Sequence, residues 1–234
     1  MRSLILILLY TFLVIFLGVP AIIFSYITGA KDLLFRLGKF GLRLSKPILG
    51  MKLIVLGKEN INFKTPYVFM ANHQSFIDGP LGFYLIDIPV RVFPKKEVFK
   101  IPIIGLGMKL AGFIPVDRKN RVKARSAIEK AVEIIKKEKC SFLIFPEGTR
   151  SIDGNLLPFK KGGFVLAIKS NVPIVPISIV GSKDIIPKGK FSVRKGTVRV
   201  KFHSPISTDG YTIEDRNKLV EVVRNEIKKG LEEK

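Results

Sequence analysis

The chain has 234 residues, enough for one well-packed domain and a small appendage. Lys and Arg number 40 against 19 Asp and Glu, a formal charge of +21, which implies an anionic partner: nucleic acid, an acidic membrane or an acidic soluble substrate. The single cysteine, Cys140, excludes an intramolecular disulfide and a multi-Cys metal site, and its place before Phe142-Leu143-Ile144-Phe145 reads as a buried structural thiol.

Residues Ser3 to Ala30 carry no charge and are mostly Leu, Ile, Val and Phe. A helix needs about 20 apolar residues to cross a bilayer core. The run is long enough, exceeds the apolar core of a signal peptide, and lacks a good cleavage site. It reads as an uncleaved membrane anchor over residues 1–30. Pro20 is expected to kink it. Arg2 precedes the run, whereas Lys31, Arg36, Lys39, Arg43, Lys46 and Lys52 follow it. That asymmetry places the C-terminal side on the cytoplasmic face, in a bacterium that of the inner membrane.

Residues 31–56 follow as a basic amphipathic stretch, with Leu33, Leu37, Phe40, Leu44 and Ile48 at helical spacing. Such a helix after a membrane segment reads as interfacial, and the same pattern also fits a core-facing helix. From residue 57 to 234, short apolar runs alternate with helical patterns. Strands are expected at 52–56, 67–71, 91–93, 113–115, 142–145, 174–179 and 197–202. Ala124, Ile128, Ala131, Val132 and Ile135 predict an amphipathic helix, as does Phe164 to Ser170. Thr212-Ile213-Glu214-Asp215 reads as a capping box before a last helix with Leu219, Val222, Val223 and Ile227 on one face. The fold class is therefore α/β: a single domain with a mixed β-sheet flanked by helices, plus the N-terminal membrane-binding helical segment.

Of two histidines, His73 follows the expected strand at 67–71 directly, and Asp78 comes five residues later. In a continuous helix the two side chains would diverge by about 140°. They meet only if the chain turns after His73, with Ser75 a reasonable N-cap for the helix beyond. A turned pair would let Asp78 orient the imidazole while the other ring nitrogen takes a proton from a hydroxyl. By spacing alone a structural pair fits equally well. Phe145-Pro146-Glu147-Gly148-Thr149-Arg150-Ser151 also follows an apolar strand. Gly148 permits a tight turn, Arg150 offers a donor fork for phosphate, and Glu147 suits orienting either a basic group or the turn itself. Lys95 and Arg118 lie beside other expected strands, and each also fits a solvated face. Between them, Ile101 to Met108 is apolar and Gly-rich, suited to an acyl channel or to core. His203 matches no such cluster and reads as a structural strand-end residue.

Taken together these clusters resemble the 1-acylglycerol-3-phosphate acyltransferase family of glycerolipid acyltransferases, over roughly residues 57 to 205. Four blocks stand in the family's order: Asn72 to Asp78 as the H-x4-D block, Lys95 to Arg118, Phe145 to Ser151, and Val172-Pro173-Ile174-Val175-Pro176-Ile177. The resemblance implies His73 as general base and Asp78 as its orienting partner. It implies glycerol-phosphate contacts from Glu147, Gly148, Thr149, Arg150, Lys95 and Arg118, and an acyl channel from Ile101, Ile103, Leu106 and Met108. It implies transfer from acyl-CoA or acyl carrier protein to the sn-2 hydroxyl of an anionic lysophospholipid at a bilayer, with no metal and no cofactor beyond the thioester co-substrate. Glycerol 3-phosphate or another lysophospholipid is the alternative acceptor. Nucleic acid is not expected as a partner, because aromatic-basic interleaving and Trp are absent.

Overall fold

A computed structural model describes residues 1–189 and 192–233. The apolar run forms α1 (Arg2–Phe12) and α2 (Val19–Thr28), joined by a π-helical turn over Leu13–Gly18. Pro20 explains the wide turn: it has no N–H to donate one turn back, and its ring crowds that carbonyl. Gly29 reverses the chain in a left-handed conformation, and α3 (Asp32–Leu49) runs back along the first two helices. The expected stripe on α3 is not its buried face. Phe40 and Leu44 are exposed, whereas Gly41, Ser45 and Leu49 are buried. Small residues win because α1 and the π turn approach closely: a Cβ on Gly41 would stand 3.5 Å from Leu13. The Ser45 hydroxyl bridges to the Tyr10 hydroxyl at 2.8 Å and the Gly41 carbonyl at 2.6 Å.

Six strands form one mixed sheet: β1 (Met51–Leu56), β2 (Val68–Ala71), β3 (Val90–Val92), β4 (Ser141–Ile144), β5 (Ile174–Val180) and β6 (Gly196–Phe202), in spatial order β1-β6-β5-β2-β4-β3. β1 therefore belongs to the sheet as an edge strand, a correction to the boundary expected at residue 57. β5, β2, β4 and β3 run parallel, and β6 is antiparallel to β5. The expected strand at 113–115 is absent. Ile114 and Val116 do donate to the Val92 and Pro94 carbonyls, but Pro94 has no N–H to return, so pairing stops at one bridge, Lys95 to Val116.

The central strands are buried on both faces, as parallel sheets require. Phe69 and Ala71 of β2 face one core with α4 (Asp78–Leu85), and Val68 and Met70 face the other. The second core is completed by α6 (Arg121–Glu138), α7 (Gly162–Ser170) and α9 (Arg216–Glu232). The short helices α5 (Ile104–Leu110) and α8 (Ser182–Ile185) lie in loops. Gly82 lets α4 sit close on β4, since a Cβ there would meet Leu143 at 2.7 Å. Asp215 accepts from the Thr212 N–H and hydroxyl, so only the backward half of the expected capping box forms.

β2 leads through α4 across one face of β4 to β3, and β4 leads through α7 across the other face of β2 to β5. Chain connections thus diverge from the adjacent carboxyl ends of β2 and β4, and a crevice opens there.

His203 closes the opposite side of the core. The Ser178 hydroxyl donates to the Ile227 carbonyl at 2.8 Å, so His203 Nε2 donates to Ser178 Oγ, also at 2.8 Å. Burial pulls the imidazole below its ordinary value of 6.5. The native state therefore binds this proton more weakly than the unfolded chain. The stability it contributes is present above pH 6.5 and is lost as pH falls through that value towards the depressed native one. The melting temperature should fall between pH 7.5 and 5.5, and a folded His203→Asn protein should show a shallower fall; equal slopes would contradict this.

Candidate active site

The site is built from backbone outward. β2 ends at Ala71, and Asn72 then ties the strand end to β5: its side chain donates to the Ile179 carbonyl at 2.8 Å and accepts from the Ile179 N–H at 2.7 Å. His73 is gripped at both backbone atoms. Its N–H donates to Glu147 Oε1 at 2.6 Å, and its carbonyl accepts from the Ser151 N–H at 2.8 Å. The imidazole stacks on Phe145, ring centroids 4.2 Å apart.

The chain turns after His73, as the spacing requires. Asp78 opens α4 and points back into the turn. Its Oδ2 accepts from His73 Nδ1 at 2.9 Å, from the Gln74 N–H at 2.6 Å and from the Ser75 N–H at 2.7 Å. A carboxylate oxygen holding two N–H groups only accepts, so Nδ1 carries the ring hydrogen and Nε2 is left as a bare acceptor. Nε2 makes no hydrogen bond among the described residues, and His73 lines the cavity. Asp78 itself is fully buried, and its Oδ1 has no partner among the described residues. Ser75 does not cap α4. The N-cap position is Ile77; the Ser75 hydroxyl accepts from the Ile77 N–H at 3.4 Å and donates to the Ile186 carbonyl at 2.8 Å.

The turn after β4 meets this one from below. Gly148 takes φ +69°, which returns the chain past Pro146 without a side chain in the way. Glu147 is buried, with Oε1 on the His73 N–H and Oε2 on the Leu157 N–H at 2.9 Å. Of the two roles open to it in sequence, it holds the turns. Burial pushes its carboxyl above the ordinary range, against the opposing pull of those two N–H groups.

A cavity of about 1200 Å³ opens over the pair. Four expected phosphate contacts, Lys95, Arg118, Gly148 and Arg150, line it with His73, whereas Glu147 and Thr149 do not. Arg118 is fixed by donating to the Gly148 carbonyl at 2.7 Å. Of the expected channel residues Ile103 and Met108 line the cavity; Ile101 and Leu106 point outward, each 48% exposed. The apolar wall comes largely from elements given no such role in sequence: Val14 and Ile22 of the N-terminal helices, Phe35 of α3 and Phe83 of α4. Sequence reasoning also missed Arg121, Arg125, Lys160 and Arg216 on the lining, although Arg121 and Arg125 share one helix face at four-residue spacing. Among the described residues, no three His, Cys, Asp or Glu side chains gather as a metal site would need.

A model of the acyltransferase family matches residues 52–180, which span the pair, both turns and the cationic lining. The chain belongs to the acyltransferase family. It is 37% identical to a 1-acyl-sn-glycerol-3-phosphate acyltransferase of Limnanthes douglasii over 76% of this chain and 63% of that one. It is 32% identical to the human 1-acyl-sn-glycerol-3-phosphate acyltransferase alpha, over 92% and 76%. The crystal structure of the 1-acyl-sn-glycerophosphate acyltransferase PlsC from Thermotoga maritima superimposes with a TM-score of 0.83 at 28% identity, covering 99% of this chain and 94% of that one. The chain spans about half to three fifths of the length of the plant relatives it matches.

Replacing Glu147 with Gln keeps the shape but turns a donor towards one of two N–H groups. Each orphaned N–H costs about 1–3 kcal/mol. Glu147→Gln should therefore lower the unfolding free energy by that order in urea titration, and the His73 ring should lose its fixed setting in NMR relaxation. Unchanged values in both would remove Glu147 from this role.

Proposed function

We propose that this chain moves a fatty acyl group from a thioester donor, acyl-CoA or acyl carrier protein, to the sn-2 hydroxyl of 1-acylglycerol 3-phosphate, making phosphatidic acid. The carrying observation is the His73–Asp78 contact at 2.9 Å, facing a cavity with an apolar wall and a cationic one. A lysophospholipid with one acyl tail and one phosphate has the same division. The activity in the names of the relatives supports the reading.

In this reading Lys95, Arg118 and Arg150 take the acceptor phosphate through charge-assisted bonds, and the tail lies against Ile103 and Met108. Fixing the phosphate sets the distance from the hydroxyl to His73. Nε2 takes the hydroxyl proton as the oxygen attacks the thioester carbonyl carbon. The tetrahedral intermediate collapses, the C–S bond breaks, and His73 returns the proton to the leaving thiolate. Asp78 stabilises the imidazolium between the two steps. No acyl-enzyme is invoked. The Ser75 hydroxyl is engaged at Ile186, and Cys140 is a buried thiol at the amino edge of β4, its pKa raised by burial.

The reaction would run on the cytoplasmic face of a membrane, with the anionic bilayer as partner. Support comes from the helix Arg2–Thr28, 27 residues long with mean hydropathy 2.7 over an 18-residue stretch, and an outward face that includes Leu8, Phe16 and Ile27. The basic residues of α3 that follow suit an acidic headgroup layer.

Transfer of labelled acyl groups to lysophosphatidic acid, beside glycerol 3-phosphate and lysophosphatidylcholine, tests the acceptor. His73→Ala should lose at least about a thousandfold in kcat, and Asp78→Asn about a hundredfold or more, with the fold retained by circular dichroism. A folded His73→Ala protein with wild-type turnover would sink the mechanism. Arg150→Ala should raise the acceptor KM about tenfold or more.

A further inference from the structure

The segment that follows β5, from α8 to Lys188, is bonded to both turns of the site. The Ser75 hydroxyl donates to the Ile186 carbonyl at 2.8 Å, which ties this segment to the turn carrying His73 and Asp78. Two residues on, the Lys188 ammonium donates to the Arg150 carbonyl at 2.6 Å, in a part-buried setting. Between them stands Pro187, whose ring fixes its φ and makes a stiff spacer. Lys183 of α8 donates to the Asp153 carbonyl of the same loop. Neither lysine lines the cavity. The Arg150 guanidinium does line it, and makes no hydrogen bond or ion pair among the described residues. Its direction is therefore left to its backbone. The Arg150 carbonyl and the Ser151 N–H belong to one rigid peptide plane. That plane is gripped at both ends: the N–H donates to the His73 carbonyl at 2.8 Å, and the carbonyl accepts from Lys188. One bond alone would leave the plane free to pivot about it, and the second removes that freedom.

The rest of this turn is held in the same manner. The Pro146 carbonyl accepts from the Lys160 N–H at 2.8 Å and the Gly148 carbonyl from Arg118 at 2.7 Å. Both bonds precede Arg150, and only Lys188 holds its own carbonyl. A guanidinium meets a phosphate best with two N–H groups on two oxygens, so a small tilt of the peptide below is magnified at the end of so long a side chain. We infer that Lys188, which stands outside all four sequence blocks, is a positioning residue for the acceptor phosphate: it locks the Arg150–Ser151 peptide plane against the His73 turn and so sets where the guanidinium meets an anionic headgroup. Lys188 itself touches no substrate. A charged donor suits the task, because an ammonium on a part-buried carbonyl makes a stronger bond than a neutral side chain would. The inference rests on the reading of Arg150 as a contact of the acceptor phosphate.

The test uses the full chain in mixed detergent micelles. Lys188→Met keeps the apolar stem and removes the donor. It should raise the KM for lysophosphatidic acid about fivefold or more. Saturating kcat should stay within about twofold, since the His73–Asp78 contact does not pass through Lys188. Calorimetric binding of lysophosphatidic acid should weaken by the same factor, and that of monoacylglycerol, which lacks the phosphate, should not change. Lys188→Arg should recover most of the loss. In an Arg150→Ala background, Lys188→Met should add less than about twofold, the mark of a residue that acts through Arg150. An equal effect with and without Arg150 overturns the inference, because Lys188 would then attract the phosphate in its own right. So does an unchanged KM and affinity for lysophosphatidic acid, or a matching loss for monoacylglycerol. Binding reads the phosphate contact without turnover: this binding pattern in a chain that transfers no acyl group would fail the transfer reading and not this one.

Discussion

Parallel strands that end side by side leave backbone N–H groups pointing out of the sheet with no ladder to enter. At the carboxyl ends of β2 and β4, one carboxylate, Glu147, takes two of them, from His73 and from Leu157. Burying a carboxylate costs several kcal/mol unless it is hydrogen-bonded. Both oxygens are bonded here, and the residue that benefits is the one that carries the imidazole. With His73 fixed at its N–H and its carbonyl, the ring has one setting, stacked on Phe145. Asp78 can then meet Nδ1 while closing the same turn through two further N–H groups. The His73–Asp78 geometry is a consequence of satisfying backbone at a strand end.

The sheet topology decides what surrounds that imidazole. Because the connections leaving β2 and β4 cross opposite faces, the crevice between them opens towards both layers of helices. The layer with α4 also receives α3 and the N-terminal helices, which supply apolar side chains. The layer with α6, α7 and α9 supplies cations of the lining. One cavity therefore has an apolar wall and a cationic one, with His73 on the same lining.

Much of this was legible in the sequence where a local rule decides. Six of the seven expected strands appear within a residue or two at their ends, because apolar runs bounded by Gly, Pro and Asn leave little choice. The turn between His73 and Asp78 follows from helix angle alone. Where two distant segments must agree, local reading failed. The run at 113–115 looks like a strand, but Pro94 on its neighbour cannot return a hydrogen bond. The family resemblance implies Glu147 as a glycerol-phosphate contact, its residue type left orienting a turn open as well, and only the fold shows both of its oxygens committed to backbone. On α3 the core-facing alternative fails for Phe40 and Leu44, which are exposed. Hydrophobic spacing assumes water on the other side, and a helix beside an apolar neighbour packs through Gly41 and Ser45 instead.

That exchange on α3 bears on how a lysophospholipid acceptor would arrive in the function proposed above. The outer faces of α1 and α2 carry exposed Ile, Leu and Phe over their whole length, and α3 adds Phe40 and Leu44. An apolar surface of this extent is stable only against lipid or protein. The inner residues of the same segment, Tyr10 of α1, Val14 of the π-helical turn and Ile22 of α2, line the cavity that contains His73. One pair of helices thus has lipid-compatible surface outside and lipid-compatible surface inside, with the π-helical turn at Leu13–Gly18 between them. A lysophospholipid tail leaving a bilayer would remain in apolar contact while its headgroup moves on to the cations at the sheet edge. The cost of moving a long acyl chain through water is then never incurred, and the free energy of headgroup binding is left to position the hydroxyl at Nε2.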